Sequence, residues 1–165
     1  MMKKRAYEIL LIFLFLTAGS VGAVQNSSLP NIELADTNGS VITTDKLRQG
    51  TPWVLIILEA NVVSSQVMLD SFKKTSYSGE NAVVVVVGDL RASGQFVKRL
   101  SVFLPNARWL TGSGGSVIGG FKLAGTPTVL GIDQNQQVLW QYSGLSNPPE
   151  VLTKRIRTWI STPAR

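Results

Sequence analysis

At 165 residues with 44% apolar side chains, 15 glycines and 7 prolines, the chain can bury one core and is too apolar to be disordered. Its net charge of +6 is spread through short clusters, Lys73-Lys74, Lys98-Arg99 and Lys154-Arg155-x-Arg157, which leaves no continuous basic stripe for nucleic acid. Cysteine and histidine are both absent, which excludes disulfides, thiol chemistry, thiolate metal sites and covalent haem attachment together.

Residues 1–23 read as a secretion signal: Lys3, Lys4 and Arg5 open it, Ile9 to Leu16 is unbroken apolar sequence, and Val21-Gly22-Ala23 suits cleavage after Ala23. Its removal lowers the net charge from +6 to +4. The alternative is retention, with residues 9–22 as an inner-membrane anchor and the only membrane contact. A lipid anchor at the cleavage point needs a cysteine and is excluded. Residues 24–31 are polar and expected to form a flexible lead, and residues 32–162 a single domain.

Ile32 and Leu34 alternate with Glu33, Asp36 to Gly39 supplies turn residues, and Val41-Ile42 follow, which predicts a small hairpin. Thr43 or Thr44 is placed to cap a short helix running to Gln49, ended by Gly50 and Pro52. Trp53 to Leu58 is six apolar residues in a row and predicts a strand buried on both faces. Ser64 and Ser65 are N-cap candidates for a helix presenting Met68, Leu69 and Phe72 at spacings of three and four. Five consecutive valines, Val83 to Val87, predict a second central strand, since β-branched side chains crowd a helix and suit a pleat. Ser93 is a candidate cap for a helix carrying Phe96, Leu100 and Phe103; Arg108 to Thr111 reads as a short strand and residues 116–123 as a glycine-weakened helix. Thr128 to Asp133 and Val138 to Tyr142 flank the polar loop Gln134 to Gln137, as an antiparallel hairpin does. Asn147 is expected to cap a last helix with Pro148, Pro149 and Glu150 in its first turn and Leu152, Ile156, Trp159 and Ile160 on its buried face. Trp140 and Tyr142 share one strand face and are expected to be core or edge packing; Arg155 falls within the apolar arc of the last helix.

The run Gly125-Thr-Pro-Thr, followed by an apolar strand ending in Ile132-Asp133, carries a family likeness. Pro127 has no amide hydrogen and a fixed φ, so it belongs at a strand's first residue or an open edge, and an X–Pro bond disfavours cis by only about 0.5–1 kcal/mol. From Trp53 to Ile160 the chain resembles the thioredoxin-like superfamily, most closely the exported TlpA/ResA-type thiol–disulfide proteins, which also carry a hairpin before the core. The resemblance implies an α/β fold: a thioredoxin-like mixed central sheet flanked by helices, with a short N-terminal β-hairpin extension.

The family's second mark, Cys-x-x-Cys at the start of the first helix, is missing. A gapless match sets Val63 and Gln66 at the cysteine positions, and a one-residue gap sets Val62 and Ser65 there; neither supplies a thiol. The buried acidic residue that moves protons in thioredoxins aligns with Ile57, and Glu59, two positions on, reads as a solvated charge at the strand's end. A serine hydroxyl with no histidine to activate it cannot replace a thiolate. The glycines between Gly112 and Gly120 match neither the dinucleotide nor the nucleotide-loop spacing, and the aspartates are dispersed. No catalytic residue, metal ligand or cofactor is therefore expected.

The resemblance implies instead a binding groove of Val62, Val63, Ser64, Ser65, Thr126 and Pro127, where relatives pair backbone with an extended partner segment. The reading that follows is an exported, redox-inactive, periplasmic thioredoxin-like protein that binds an envelope protein or extended peptide as scaffold or accessory factor. One alternative is a TlpA-like thiol–disulfide oxidoreductase or peroxidase-type redox protein. The other is a structural subunit of an envelope secretion or conjugation complex.

Overall fold

The computed structural model describes residues 27–47 and 50–163. The expected signal segment, the cleavage point after Ala23 and the anchor reading of residues 9–22 lie outside the described residues. In chain order the elements are β1 (Ser27–Ser28), β2 (Glu33–Ala35), β3 (Val41–Thr43), β4 (Trp53–Glu59), α1 (Val63–Lys74), β5 (Ala82–Val87), α2 (Leu90–Leu100), β6 (Arg108–Gly112), α3 (Gly114–Gly120), β7 (Thr128–Ile132), β8 (Gln137–Ser143) and α4 (Pro149–Ile160). Single 3-10 turns span Thr44–Leu47 and Ser101–Phe103. Ser27–Ser28, inside the stretch expected to be a lead, pair with β8, and Leu29 donates its amide to the Gln136 carbonyl.

The sheet has the order β1-β8-β7-β4-β5-β6-β2-β3. β4, β5 and β6 are parallel to one another, while β7 runs antiparallel to β4, β8 to β7 and β2 to β6. A mixed sheet of this kind buries its parallel centre on both faces, which is why the apolar runs of β4 and β5 show no polar alternation. Successive side chains go to opposite layers. Val54, Ile56, Leu58, Val84 and Val86 pack with Met68, Leu69 and Phe72 of α1, Phe96 of α2 and Ile156 of α4. Trp53, Leu55, Ile57, Val83 and Val85 pack instead with Leu34 of the hairpin, Leu47 and Val117 of α3. The thioredoxin-like expectation stands in this architecture, hairpin included.

Helix starts differ from the expected caps in three places. Asp89, not Ser93, caps α2, accepting the Ala92 amide at 2.8 Å. Pro148, not Asn147, precedes α4, and Pro149 is its first residue. Val62 precedes α1, so Ser64 and Ser65 are inside that helix. α3 begins at Gly114, earlier than the sequence pattern placed it, because the Ser113 hydroxyl accepts the Ser116 amide. Pro127 does precede a strand, but β7 is paired on both sides by β4 and β8, so the open edge expected there does not exist along the strand.

Trp140 and Tyr142 are both buried, as their alternation predicts. Arg155 has a structural reason: its guanidinium carbon lies 4.7 Å from the centre of the Trp140 ring, which meets Trp159 edge-on at 6.2 Å. Tyr77 closes the layer beneath α1, edge-on to Phe72 at 5.5 Å, and donates to the Glu80 carbonyl at 2.9 Å. Burial, with the Glu80 carboxylate adding to it, pushes the Tyr77 phenol well above its ordinary value of 10.0. The unfolded chain loses this proton near 10 while the folded chain keeps it, so stability is intact below that pH and falls above it, by up to about 1.4 kcal/mol per pH unit. Tyr77→Phe is expected to lose about 1 kcal/mol at neutral pH, from the hydrogen bond. Its urea midpoint should then decline less steeply than the parent's above pH 10.

Candidate functional site

The carboxyl ends of the three parallel strands and the start of β7 all lie on one edge of the sheet, because β7 runs antiparallel to β4 with Ile57 opposite Thr128. The loop before β7 therefore comes to rest beside the loop that leaves β4. The β4 exit is tight. Asn61 adopts a left-handed φ of 65°, which asparagine tolerates better than most residues, and α1 begins two positions later. The Val62 amide approaches the Glu59 carbonyl at 3.4 Å and the Ser65 amide donates to the Val62 carbonyl at 3.1 Å.

Two side-chain hydrogen bonds tie these loops together. The Ser65 hydroxyl, fully buried, accepts the Glu59 amide at 2.9 Å and so closes the end of β4 onto the first turn of α1. The Thr126 hydroxyl donates to Glu59 Oε2 at 2.7 Å, joining the loop before β7 to the same residue. Glu59 is accordingly a half-buried acceptor in the site and not the freely solvated charge that its place at the strand end implied. Nothing in the sequence points to this pair, since 67 residues separate its members.

All six residues expected to form the groove are brought to this edge. Val62 is the N-cap position of α1 and half-buried, Val63 is 77% exposed, Ser64 is half-buried, and Pro127 is buried beneath Thr126. The Thr126–Pro127 peptide bond is cis, as is Asn147–Pro148. The Thr128 hydroxyl donates to the Gly125 carbonyl at 2.8 Å and the Gly144 amide to the Pro127 carbonyl at 2.8 Å, which holds the loop from its other side. Among the described residues, the amide and carbonyl of Thr126 join no turn, loop or cap hydrogen bond, and strand pairing starts only at Thr128.

α1 opens at Val63 with Val62 as its cap, so of the positions in the two alignments considered above Val62 is the cap, Val63 the first helical residue, Ser65 the third and Gln66 the fourth. Ile57, aligned with the proton-handling acid of thioredoxins, is a fully buried core residue. The site's functional groups are then one carboxylate and several hydroxyls. No group of three or more potential metal ligands gathers among the described residues.

No family model and no curated protein matches the sequence. Solved structures do match the fold. A thio-disulfide isomerase of Thermus thermophilus aligns with a TM-score of 0.61 and 15% identity, covering 84% of this chain and 99% of its own. The thioredoxin domain of a thiol-disulfide oxidoreductase of Bacteroides vulgatus aligns with 0.58 and 12%, covering 82% and 99%. An exposed lipoprotein thioredoxin of Streptococcus pneumoniae aligns with 0.55 and 14%, covering 78% and 98%. The fold is thioredoxin-like, and the chain has no cysteine to place where such proteins keep theirs.

Proposed function

We propose that this thioredoxin-like chain is an exported, redox-inactive protein that acts by binding an extended segment of an envelope protein. The observation that carries the reading is at Thr126: a backbone amide and carbonyl outside any turn, loop or strand pairing, on a loop tied through Glu59 to the start of α1, where Val63 is exposed. An extended chain laid beside Thr126 gains main-chain hydrogen bonds from it, and its side chains meet an aliphatic surface in place of a nucleophile. Glu59 holds the Thr126 side chain and Ser65 holds the β4 end, so the surface is preorganised by buried and half-buried hydrogen bonds.

Catalysis is not part of this reading, because thiol–disulfide exchange needs a thiolate and the chain has no sulfur besides its methionines. The basic, apolar N-terminal sequence supports export, as does the pneumococcal neighbour's description as an exposed lipoprotein. Among the described residues no helix is long and apolar enough to cross a membrane.

The test compares two substitutions of equal chemistry. Val102 lies in the 3-10 turn that follows α2 and is 72% exposed, much like Val63. Val63→Asp is expected to weaken recovery of the bound partner from envelope extracts at least about tenfold, through a charge set in an apolar contact, while Val102→Asp leaves recovery unchanged. Equal recovery with both variants would remove the groove from the proposal.

A further inference from the structure

The sequence holds the pattern Asn-x-Ser/Thr, with a residue other than proline in the middle, at Asn26-Ser27-Ser28 and at Asn38-Gly39-Ser40. In an exported chain this pattern marks an asparagine that accepts a sugar on its side-chain amide, provided that it stands on an accessible turn. The fold treats the two stretches differently. Ser27 and Ser28 form β1, where Ser28 stands opposite Gln137 and its hydroxyl accepts the Gln137 side-chain amide at 3.2 Å. Asn38-Gly39-Ser40 lies at the tip of the β2–β3 hairpin, and all three residues are exposed.

The hairpin turn is held by its backbone and by Asp36, which leaves the acceptor side chains out of the work. Asp36 Oδ1 accepts the amides of Asn38 at 2.8 Å and Ser40 at 2.9 Å. The Asp36 amide donates to the Ser40 carbonyl at 2.9 Å, and the Gly39 amide to the Asp36 carbonyl at 3.0 Å. Gly39 takes a φ of 83°, which glycine reaches without strain, and a Cβ built on it would meet nothing within 4 Å, so the tip faces open space. Among the described residues, no hydrogen bond engages the Asn38 side-chain amide or the Ser40 hydroxyl. Asp36, two residues before the asparagine, adds a half-buried carboxylate that a cationic enzyme groove can hold.

We propose that Asn38 is an N-glycosylation site, the acceptor of an oligosaccharide carried on a polyprenyl diphosphate, and that Asn26 is not. In the transfer Asn38 Nδ2 forms a bond to the anomeric carbon of the first sugar and the bond from that carbon to the diphosphate oxygen breaks. The lipid diphosphate leaves with the electron pair, and Nδ2 gives up one proton. The Ser40 hydroxyl supplies the hydrogen bond by which the transferase reads the acceptor. A hydrated sugar suits this place, because β3 is the last strand of the sheet and pairs, among the described residues, only with β2. A glycan at its turn shields an edge otherwise open to strand addition. β5 and β6 lie between the hairpin and β4, which sets β2 about 14 Å from β4 and leaves the peptide groove clear. The site rests on the export proposed above and needs neither Val63 nor Thr126.

The experiment incubates the purified, folded full chain with a single-subunit bacterial oligosaccharyltransferase and a polyprenyl-diphosphate-linked oligosaccharide, beside a synthetic peptide of residues 34–42, and reads intact mass and glycopeptides. One glycan per chain is expected, at Asn38, with Asn26 unmodified. Asn38→Gln should abolish transfer. Ser40→Ala should lower its rate at least about tenfold while Ser40→Thr keeps it, which separates loss of the hydroxyl from disturbance of the turn. Transfer to the peptide and not to the folded chain, transfer to neither, or a glycan at Asn26 in comparable yield would each overturn the proposal. The purified chain is modified without passing through export and without a groove partner, so failure here and failure of the binding reading are told apart.

Discussion

Val62→Cys combined with Ser65→Cys is expected to close a disulfide at the start of α1 and to raise insulin reduction at least about tenfold over the parent, which should run at the blank rate. The two positions are the N-cap and the third residue of the helix, and the loop before Pro127 is already held beside them through Thr126 and Glu59. A helix N-terminus favours the thiolate of a residue placed there, through its unpaired amides and its dipole. The half-buried Val62 position should carry the attacking sulfur and the buried Ser65 position the resolving one. Alkylation of the two single-cysteine variants should therefore be fast at 62 and slow at 65. The substitution at 65 also replaces the hydroxyl that accepts the Glu59 amide with a weaker acceptor, so the reduced double variant should be about 1 kcal/mol less stable than the parent. If both thiols stay free in oxidised glutathione, or if the disulfide forms and insulin is untouched, the helix start does not retain the geometry of a thiol–disulfide site.

Gly131→Ala is expected to destabilise the fold by about 3 kcal/mol or more and to lower Tm by about 6–12 °C, although the change adds one methyl group. Gly131 sits opposite Trp140 in the β7–β8 pair, at a register irregularity, and a Cβ placed on it would fall inside the Trp140 indole. Neither strand can withdraw, because β7 is paired on both sides. The ring would have to leave its place against Trp159 and Arg155, exposing the contact that seats α4 on the sheet. Trp140→Val alone should also be costly, through the cavity it leaves. The pair Gly131→Ala with Trp140→Val should cost clearly less than the two single changes added together. Additive losses would mean that the glycine is required for its backbone and not for the ring above it.

Much of the architecture was legible because its signals are local. The apolar run at Trp53 to Leu58 and the five valines could only be doubly buried strands, and Met68, Leu69 and Phe72 could only be one face of a helix. Caps were read less well. Serine at 64, 65 and 93 satisfies the composition of a cap, yet Ser65 and Ser93 point into the packed interior, and Asp89 and Val62 occupy the turns that start the helices. Which of several adjacent polar residues turns the chain depends on where the preceding strand ends against its neighbours. That is set by the register of β4 and β5 and not by the residues of the cap themselves.

The proposed groove's members Val62 to Ser65 and Thr126-Pro127 are two short stretches that a family likeness could mark, and the Thr126–Glu59 hydrogen bond ties together the loops that carry them. Glu59 looked like a solvated charge because nothing local gives it a partner; a loop 67 residues away does.

By itself the sequence determined the order of elements, the two-sided burial of the central strands and the absence of any thiol or imidazole chemistry, since periodicity and residue type are written along the chain. Tertiary structure decided which polar groups meet: Thr126 with Glu59, and the Ser65 hydroxyl with the β4 amide. Such pairings arise from the sheet's strand order and register, which long-range packing selects and no local stretch of residues encodes.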